Sequence, residues 1–339
     1  MTKEERAKYL NAMERSHAYG EQHERTGMNS MFTGSKAYTC LPRFYKKEEP
    51  RGKGIYVGPQ FSPQWVVEPK YGTARSTIHE LVFVKKEAEG QERPAIDHGN
   101  QYESTVLEVY KKLNPHCEIH VPGRIVATHP AYRDWMSATP DGLCYDPKTG
   151  KAYVLEIKCL YAREFEFNGP TPERVFRPIK ITHPIADFKD EEVDFTFEGV
   201  HQQDGALIPG HYAFQLLLES FCSGIPCVRF IQFLTGGAYR LPMISVTEWE
   251  FDQRLFSIMS VYWKAAWDMG LKAREELRTI LGKQEEARKK GDMEAVARYE
   301  DLVRYFEDNC PWPAPKKGRP DMDAVKYMPN IFACFVNQN

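Results

Sequence analysis

Between Ser137 and Cys159 the chain sets an acid just after a proline, and fifteen residues later an acid and a lysine inside an apolar run. The order is Ser-Ala-Thr-Pro-Asp-Gly-Leu-Cys-Tyr, then Asp-Pro-Lys-Thr-Gly, then Tyr-Val-Leu-Glu-Ile-Lys-Cys after an intervening Lys-Ala. The last seven residues, Tyr153 to Cys159, are apolar and follow turn residues, which predicts a strand. Strand side chains alternate between faces, so Leu155, Ile157 and Cys159 point one way and Glu156 and Lys158 the other. Charged side chains on a strand that otherwise favours burial are costly unless they pair or bind a metal. Trp135–Ala138 and Leu143–Tyr145 predict two more strands about the Pro-Asp-Gly turn. A hairpin after Tyr145 would lay Leu143–Tyr145 along Tyr153–Cys159 and bring Asp141 near Glu156. Two carboxylates and a backbone carbonyl such as that of Ile157 make a hard-oxygen site suited to Mg²⁺ or Mn²⁺. Lys158 would sit beside it, placed to orient or deprotonate a water. A surface hairpin carrying an ordinary Glu/Lys pair is the competing reading, because Glu-x-Lys alone is common.

The rest of the chain supplies helices to flank such a sheet. Asp97–Leu113 has Tyr102, Val106, Val109, Tyr110 and Leu113 at helical spacing, with Glu103 beside that stripe. Gly99 would let the helix start pack closely, and His98 reads as structural. Glu118–His120 and Arg124–Thr128 predict strands, and Asp134 is an accessory acid of low weight. Tyr212–Ser223 predicts a helix, with Leu216, Leu217, Ser220 and Phe221 as packing positions and Gln215 as a polar group able to hold a water or a base edge. Val228–Leu234 predicts a strand. Glu248–Asp308 reads as mostly helical, its aromatic first part including Trp249 and Phe251, with a break near Gly291-Asp292. Ser76 and Thr77 stand at a helix start, where they would either cap it or offer donors to a phosphate.

The expected organisation is α/β: a central mixed twisted β-sheet flanked by helices, with a helical C-terminal extension. Residues 1–60 would form an N-terminal arm, opening on a loosely held helix and followed by a basic stretch. Residues 61–245 would form the core, interrupted by an excursion over 168–210. Residues 246–310 would be the helical extension, and 311–339 an extended, proline-rich basic tail. The net charge of −2 argues against a uniformly basic nucleic-acid protein, although only the charge on a cleft matters for binding. Eight cysteines without a Cys-x-x-Cys pair argue against a zinc ribbon and for a reducing, intracellular, cytoplasmic setting. No apolar signal region and no membrane-spanning run is expected.

The acid, acid and lysine of Asp141…Glu156-x-Lys158 resemble the PD-(D/E)-x-K nuclease superfamily. With Gly99-x-x-Tyr-Glu103, Tyr212-Ala-Phe-Gln215, Ser62-Pro-Gln-Trp65 and Ala74-Arg-Ser-Thr-Ile78, they resemble more narrowly the phage-lambda-type exonucleases, or YqaJ-type viral recombinases. The resemblance implies a restriction-endonuclease-like core holding two Mg²⁺ (or Mn²⁺) ions. The metals would be held by Asp141, Glu156, Ile157 and Glu103, with Lys158 and Gln215 completing the catalytic set. It implies a 5′-to-3′ exonuclease on double-stranded DNA ends, with DNA or 5′-phosphate contacts at Trp65, Lys70, Arg75, Ser76 and Tyr212. Pro69 stands where the family has its phosphate-binding arginine, with Lys70 and Arg75 as substitutes. A ring-shaped homotrimer and a single-strand-annealing partner are further implications. An endonuclease of the same superfamily, a non-catalytic DNA-binding adaptor, and a structural ion pair in an unrelated enzyme are the alternatives.

Overall fold

The computed structural model describes residues 3–23, 31–40, 54–66, 72–83, 94–161, 163–183, 195–235 and 242–313. Its contacts gather into two compact units, residues 1–26, 57–64 and 88–252, and residues 27–56, 65–87 and 253–339. This partition differs from the boundaries expected along the sequence, since parts of residues 1–60 and 61–245 group with the C-terminal helices. Much of the basic stretch before residue 54 and the tail after residue 313 lie outside the described residues.

The first unit contains α1 (Lys3–His23) and a second helix, α2 (Pro94–Leu113). It also holds a seven-stranded sheet of β1 (Glu118–His120), β2 (Gly142–Asp146), β3 (Lys151–Cys159), β4 (Val175–Arg177), β5 (Val200–Gln202), β6 (Cys227–Leu234) and β7 (Met243–Glu250), with helix α3 (Ala213–Ser223) between β5 and β6. The spatial order is β1-β2-β3-β6-β7-β5-β4. The sheet is mixed: β2–β3 is an antiparallel hairpin with Gly142 opposite Leu155, β3–β6 is parallel with Glu156 opposite Phe230, and β6–β7 is antiparallel. A parallel pair needs a long crossover, and the connection from β3 to β6 includes α3.

Alternation along β3 separates the two functions of the strand. Leu155 and Ile157 join a buried core with Val106, Val109 and Tyr110 of α2 and with Ile231 and Phe233 of β6. Glu156 and Lys158 take the other face, where Gln215 of α3 meets Glu156. Leu155 is fully buried, and a Cβ on Gly142 would come within 3.0 Å of its Cδ1. The glycine therefore permits the close hairpin. Leu155→Ala is expected to cost about 2–5 kcal/mol, read as a lowered urea midpoint with an unchanged slope.

Several elements differ from expectation. Glu248–Glu250, expected to open the helical stretch, instead end a strand, Met243–Glu250, that pairs along its length with Cys227–Leu234. Trp249 is buried there, edge-on to Phe61 with ring centroids 6.0 Å apart. Residues 168–210 are no simple excursion, since they supply β4 and β5 to the sheet edge. Of Trp135–Ala138 only Ser137 and Ala138 form a strand, paired with Ile125–Val126 apart from the main sheet. A Cβ on Gly99 would meet no described atom within 4 Å, so close packing is not what this glycine provides. The N-terminal helix is anchored: Tyr9 and Ala12 are buried, and the Arg15 guanidinium donates to Val126 O at 2.7 Å, Cys222 O at 2.7 Å and Ser223 O at 2.6 Å. That places a cation on carbonyls at the C-terminal end of α3, where the helix dipole favours it.

The second unit contains a helix at Ala74–Val82 packed on α4 (Gln253–Lys290), followed by α5 (Met293–Asn309). The break between α4 and α5 falls at Gly291, at φ 71°, and Asp292, whose carboxylate accepts from Ala295 N at 2.9 Å. Trp263 is buried and donates to Ala37 O at 2.9 Å. Among the described residues no helix is long and apolar enough to cross a membrane.

Candidate active site

The site lies in the first unit, where Asp141 precedes β2, Glu156 and Lys158 ride on β3, and Gln215 and Glu219 project from α3. Asp141 Oδ2 accepts a hydrogen bond from Ile157 N at 2.6 Å. That bond ties the Pro-Asp-Gly turn to β3 and sets one carboxylate beside the next. Glu156 is fully buried. Its Oε1 accepts from Lys158 Nζ and, at 2.6 Å, from Gln215 Nε2. The same Gln215 nitrogen donates to Glu219 Oε1 at 2.8 Å. Lys158 Nζ also lies 5.3 Å from the centroid of the Tyr212 ring, a cation–π distance.

The electrostatics follow from crowding three acids and one cation in little water. Burial, and then the charge of Asp141, push the Glu156 carboxyl up to about 7. Burial raises Asp141 as well, against the opposing pull of Lys158 and the Ile157 amide. Glu219 is raised well above the usual carboxylate range by burial and by Glu156 and Asp141. Burial works to lower Lys158, but Glu156 and Asp141 outweigh it and hold the ammonium above its ordinary value. Glu103, on the solvent-exposed side of α2, belongs to the same field: partial burial of its carboxyl and the charge of Asp141 raise it, and Lys158 lowers it.

The donor set fits a hard divalent cation. Glu156 Oε2 and Glu219 Oε2 are both buried without a hydrogen-bond partner. The two carboxyls approach each other, yet neither can donate to the other unless one is protonated. Carboxylate oxygens short of donors are what Mg²⁺ or Mn²⁺ satisfies. Asp141, Glu156 and the Ile157 carbonyl would hold such an ion, with Glu103 at the edge of the group.

Of the DNA-contact residues expected from the motifs, Tyr212 belongs to the first unit, and Trp65, Arg75 and Ser76 belong to the second. The Tyr212 ring lies 4.1 Å from that of His211 and 5.4 Å from that of Phe230, tilted to both, and next to Lys158. Trp65 is exposed in the second unit, 5.0 Å from the Tyr56 ring. Arg75, in the same unit, donates to the carbonyls of Trp312 and Asp308, both at 2.8 Å. Ser76 closes a reciprocal cap with Thr73, which is the N-cap of its helix. Thr77 is buried against Thr39. Lys70 lies outside the described residues. Asp134 is exposed and pairs with Arg133 at 3.6 Å.

Glu219 was not anticipated. Its signal is a lone acid in the helix Ala-Phe-Gln-Leu-Leu-Leu-Glu-Ser-Phe, four residues after Gln215 and therefore on the same helix face.

A second group with metal-ligand chemistry lies at the other end of β2. One ligand atom each from His116, Cys117 and Asp146 lie within 4.8 Å of one another. Asp146 is already engaged: its Oδ2 accepts from Arg229 Nη2 at 3.3 Å, and its Oδ1 from Lys148 N at 2.9 Å and Thr149 N at 3.3 Å. Arg229 further donates to Tyr110 Oη at 2.9 Å and Glu248 at 3.0 Å, and stacks 3.7 Å from the Tyr153 centroid. A guanidinium in that position serves as the cation of the network. Arg229→Ala is expected to cost about 3–5 kcal/mol by stranding Asp146 and Tyr110. Equilibrium unfolding reads this, and a loss under about 1 kcal/mol would show the network is dispensable.

None of the curated proteins matches the chain. Several solved structures align with it, two of them of one enzyme. An alkaline exonuclease (LHK-Exo) from Laribacter hongkongensis aligns with TM-score 0.42 at 14% identity, covering 75% of this chain and 94% of that one. LHK-Exo in complex with dAMP aligns with TM-score 0.39 at 16% identity, covering 63% and 88%. The stretch that contains Glu103, Asp141, Glu156 and Lys158 has its counterpart in a family: residues 66–177 match the YqaJ-like viral recombinase domain, the family its motifs resemble.

Proposed function

We propose that the chain is a Mg²⁺- or Mn²⁺-dependent exodeoxyribonuclease that degrades double-stranded DNA from its ends, 5′ to 3′, and leaves 3′ single strands for recombination. The observation that carries this reading is the convergence of Asp141, Lys158 and Gln215 about the buried Glu156, where one oxygen each of Glu156 and Glu219 has no hydrogen-bond partner.

A bound pair of divalent ions would supply charge neutralisation at the attacking and leaving oxygens of an in-line displacement. The residues do the rest. Asp141, Glu156 and the Ile157 carbonyl would hold one ion, and Glu103 would serve the other. Lys158, kept protonated by its acidic neighbours, places a positive charge where water and a phosphate oxygen must be oriented. Burial of Glu156 excludes bulk water and strengthens these interactions.

Recognition of a 5′-phosphate by Trp65, Lys70, Arg75, Ser76 and Tyr212 belongs to the same proposal. So do a homotrimeric ring, a single-strand-annealing partner and an intracellular setting. One assay tests the main points. A linear duplex labelled along its strands is incubated with Mg²⁺, with its 5′ ends phosphorylated or dephosphorylated, alongside covalently closed duplex. Mononucleotide release from linear DNA, faster from phosphorylated ends, is the expected result. Cleavage of closed circles would indicate an endonuclease instead, and cleavage without any divalent ion would remove the metal mechanism.

A further inference from the structure

Gln215 carries the grip of α3 on Glu156, and it has a second carboxylate behind it. Its Nε2 has two protons. One goes to Glu156 Oε1 at 2.6 Å and the other to Glu219 Oε1 at 2.8 Å. The amide is thus held with its nitrogen turned towards both acids. An amide is planar, and Oε1 therefore points away from both acids.

We infer that Glu219 is a positioning residue for the proposed cleavage: by taking one proton of the Gln215 amide it fixes that side chain with its oxygen outward, as an acceptor for the attacking water. This inference rests on the nuclease reading of the same site. It assigns Gln215 a definite chemistry. The side chain accepts from a water proton and has no N–H left for a phosphate oxygen or a base edge.

Packing alone does not account for Glu219. It is 1% exposed, and its neighbours Leu216, Leu217 and Leu218 are fully buried. A buried carboxyl with an unpartnered oxygen beside another acid is costly in such surroundings, and leucine would fit a leucine-rich helix better. The hydrogen bond it accepts from Gln215 offsets part of that cost.

The test compares Glu219→Leu with Glu219→Gln in the full chain. Leucine fills the space but removes the acceptor. Glutamine keeps an oxygen able to accept from Gln215 Nε2. Glu219→Leu should lower kcat on linear duplex at least about tenfold, the scale of losing an orienting partner behind a reactive group. Its KM should stay within about twofold and its melting temperature should not fall. Glu219→Gln should recover kcat to within about threefold of the parent. A Glu219→Leu protein that cleaves at the parent rate overturns the inference, and so does a Glu219→Gln protein that falls as far as leucine. If the parent chain itself cleaves nothing with Mg²⁺ or Mn²⁺, the nuclease reading has failed. The Gln215 side-chain amide resonances then decide the orientation. Loss of exchange protection at one amide proton in Glu219→Leu upholds the lock, and an unchanged pair of resonances refutes it.

Discussion

Asp141→Asn should lower cleavage of linear duplex DNA by about 10³-fold or more, with the fold intact. The carboxylate accepts the Ile157 amide at 2.6 Å, and an asparagine oxygen can accept the same bond, so the Pro-Asp-Gly turn stays tied to β3. What disappears is negative charge at the point where Asp141, Glu156 and Lys158 meet. Removing a single electrostatic partner from a preorganised site costs about 10²–10³ in rate, and a residue that also holds a metal belongs at or beyond the upper end. The same substitution should abolish the rise in melting temperature that Mn²⁺ gives the parent chain, because stabilisation by a ligand follows its affinity for the folded state. A variant that cleaves within tenfold of the parent, or still gains the full Mn²⁺ shift, would take Asp141 out of the metal site.

The second large effect concerns pH. Without divalent ions the protein should become less stable as pH rises from about 5 to about 7. In an unfolded chain a glutamate loses its proton near its ordinary pKa of 4.5, whereas in the fold burial and Asp141 hold Glu156 up to about 7. Between those values the folded state binds more protons than the unfolded state, so stability falls with rising pH and levels off above the folded value. At 1.36 kcal/mol per unit, Glu156 alone accounts for about 3 kcal/mol. Asp141 and Glu219 are shifted in the same direction for the same reason. Asp146, whose carboxyl is held below its usual range by the Lys148 and Thr149 amides and Arg229 despite its burial, loses stability only under more acidic conditions. Glu156→Gln should therefore lose less stability than the parent between pH 5 and pH 8, keeping only the part that comes from Asp141 and Glu219, and be inactive. Denaturant titrations at pH 5 and pH 8 in chelator check this. Equal stability of the parent at both values would mean that the acids are solvated. Such a site is held together at a cost in stability, as expected where function requires uncompensated charge.

The residues of the proposed site lie in segments whose local patterns also predict their secondary structure. The alternation in Tyr153–Cys159 placed Leu155 and Ile157 on the core face and Glu156 and Lys158 opposite them, and the hairpin with Gly142–Asp146 forms in the register that brings Asp141 to Ile157. Helical spacing located the Asp97–Leu113 and Tyr212–Ser223 segments, and the Gly291-Asp292 break falls between α4 and α5. These features are local: period, turn chemistry and helix-breaking residues act within a few positions.

What the residues alone did not disclose depends on partners far along the chain. Met243–Glu250 is a strand because Cys227–Leu234 lies beside it, and Val200–Gln202 is a sheet strand because it pairs with Met243 and Ile244. The partners of Arg75 are equally remote from local pattern, since it donates to the carbonyls of Asp308 and Trp312, whereas Ser76 caps its own helix with Thr73. Glu219 looked like one more helix residue until α3 was laid against β3, which buried it and left its second oxygen without a donor. The chain's own order determined which acids and which lysine are available and on which face of their strand they stand. Only the tertiary arrangement decided how dry their surroundings are, and it is that dryness which raises their pKa values and leaves oxygens for a cation to satisfy.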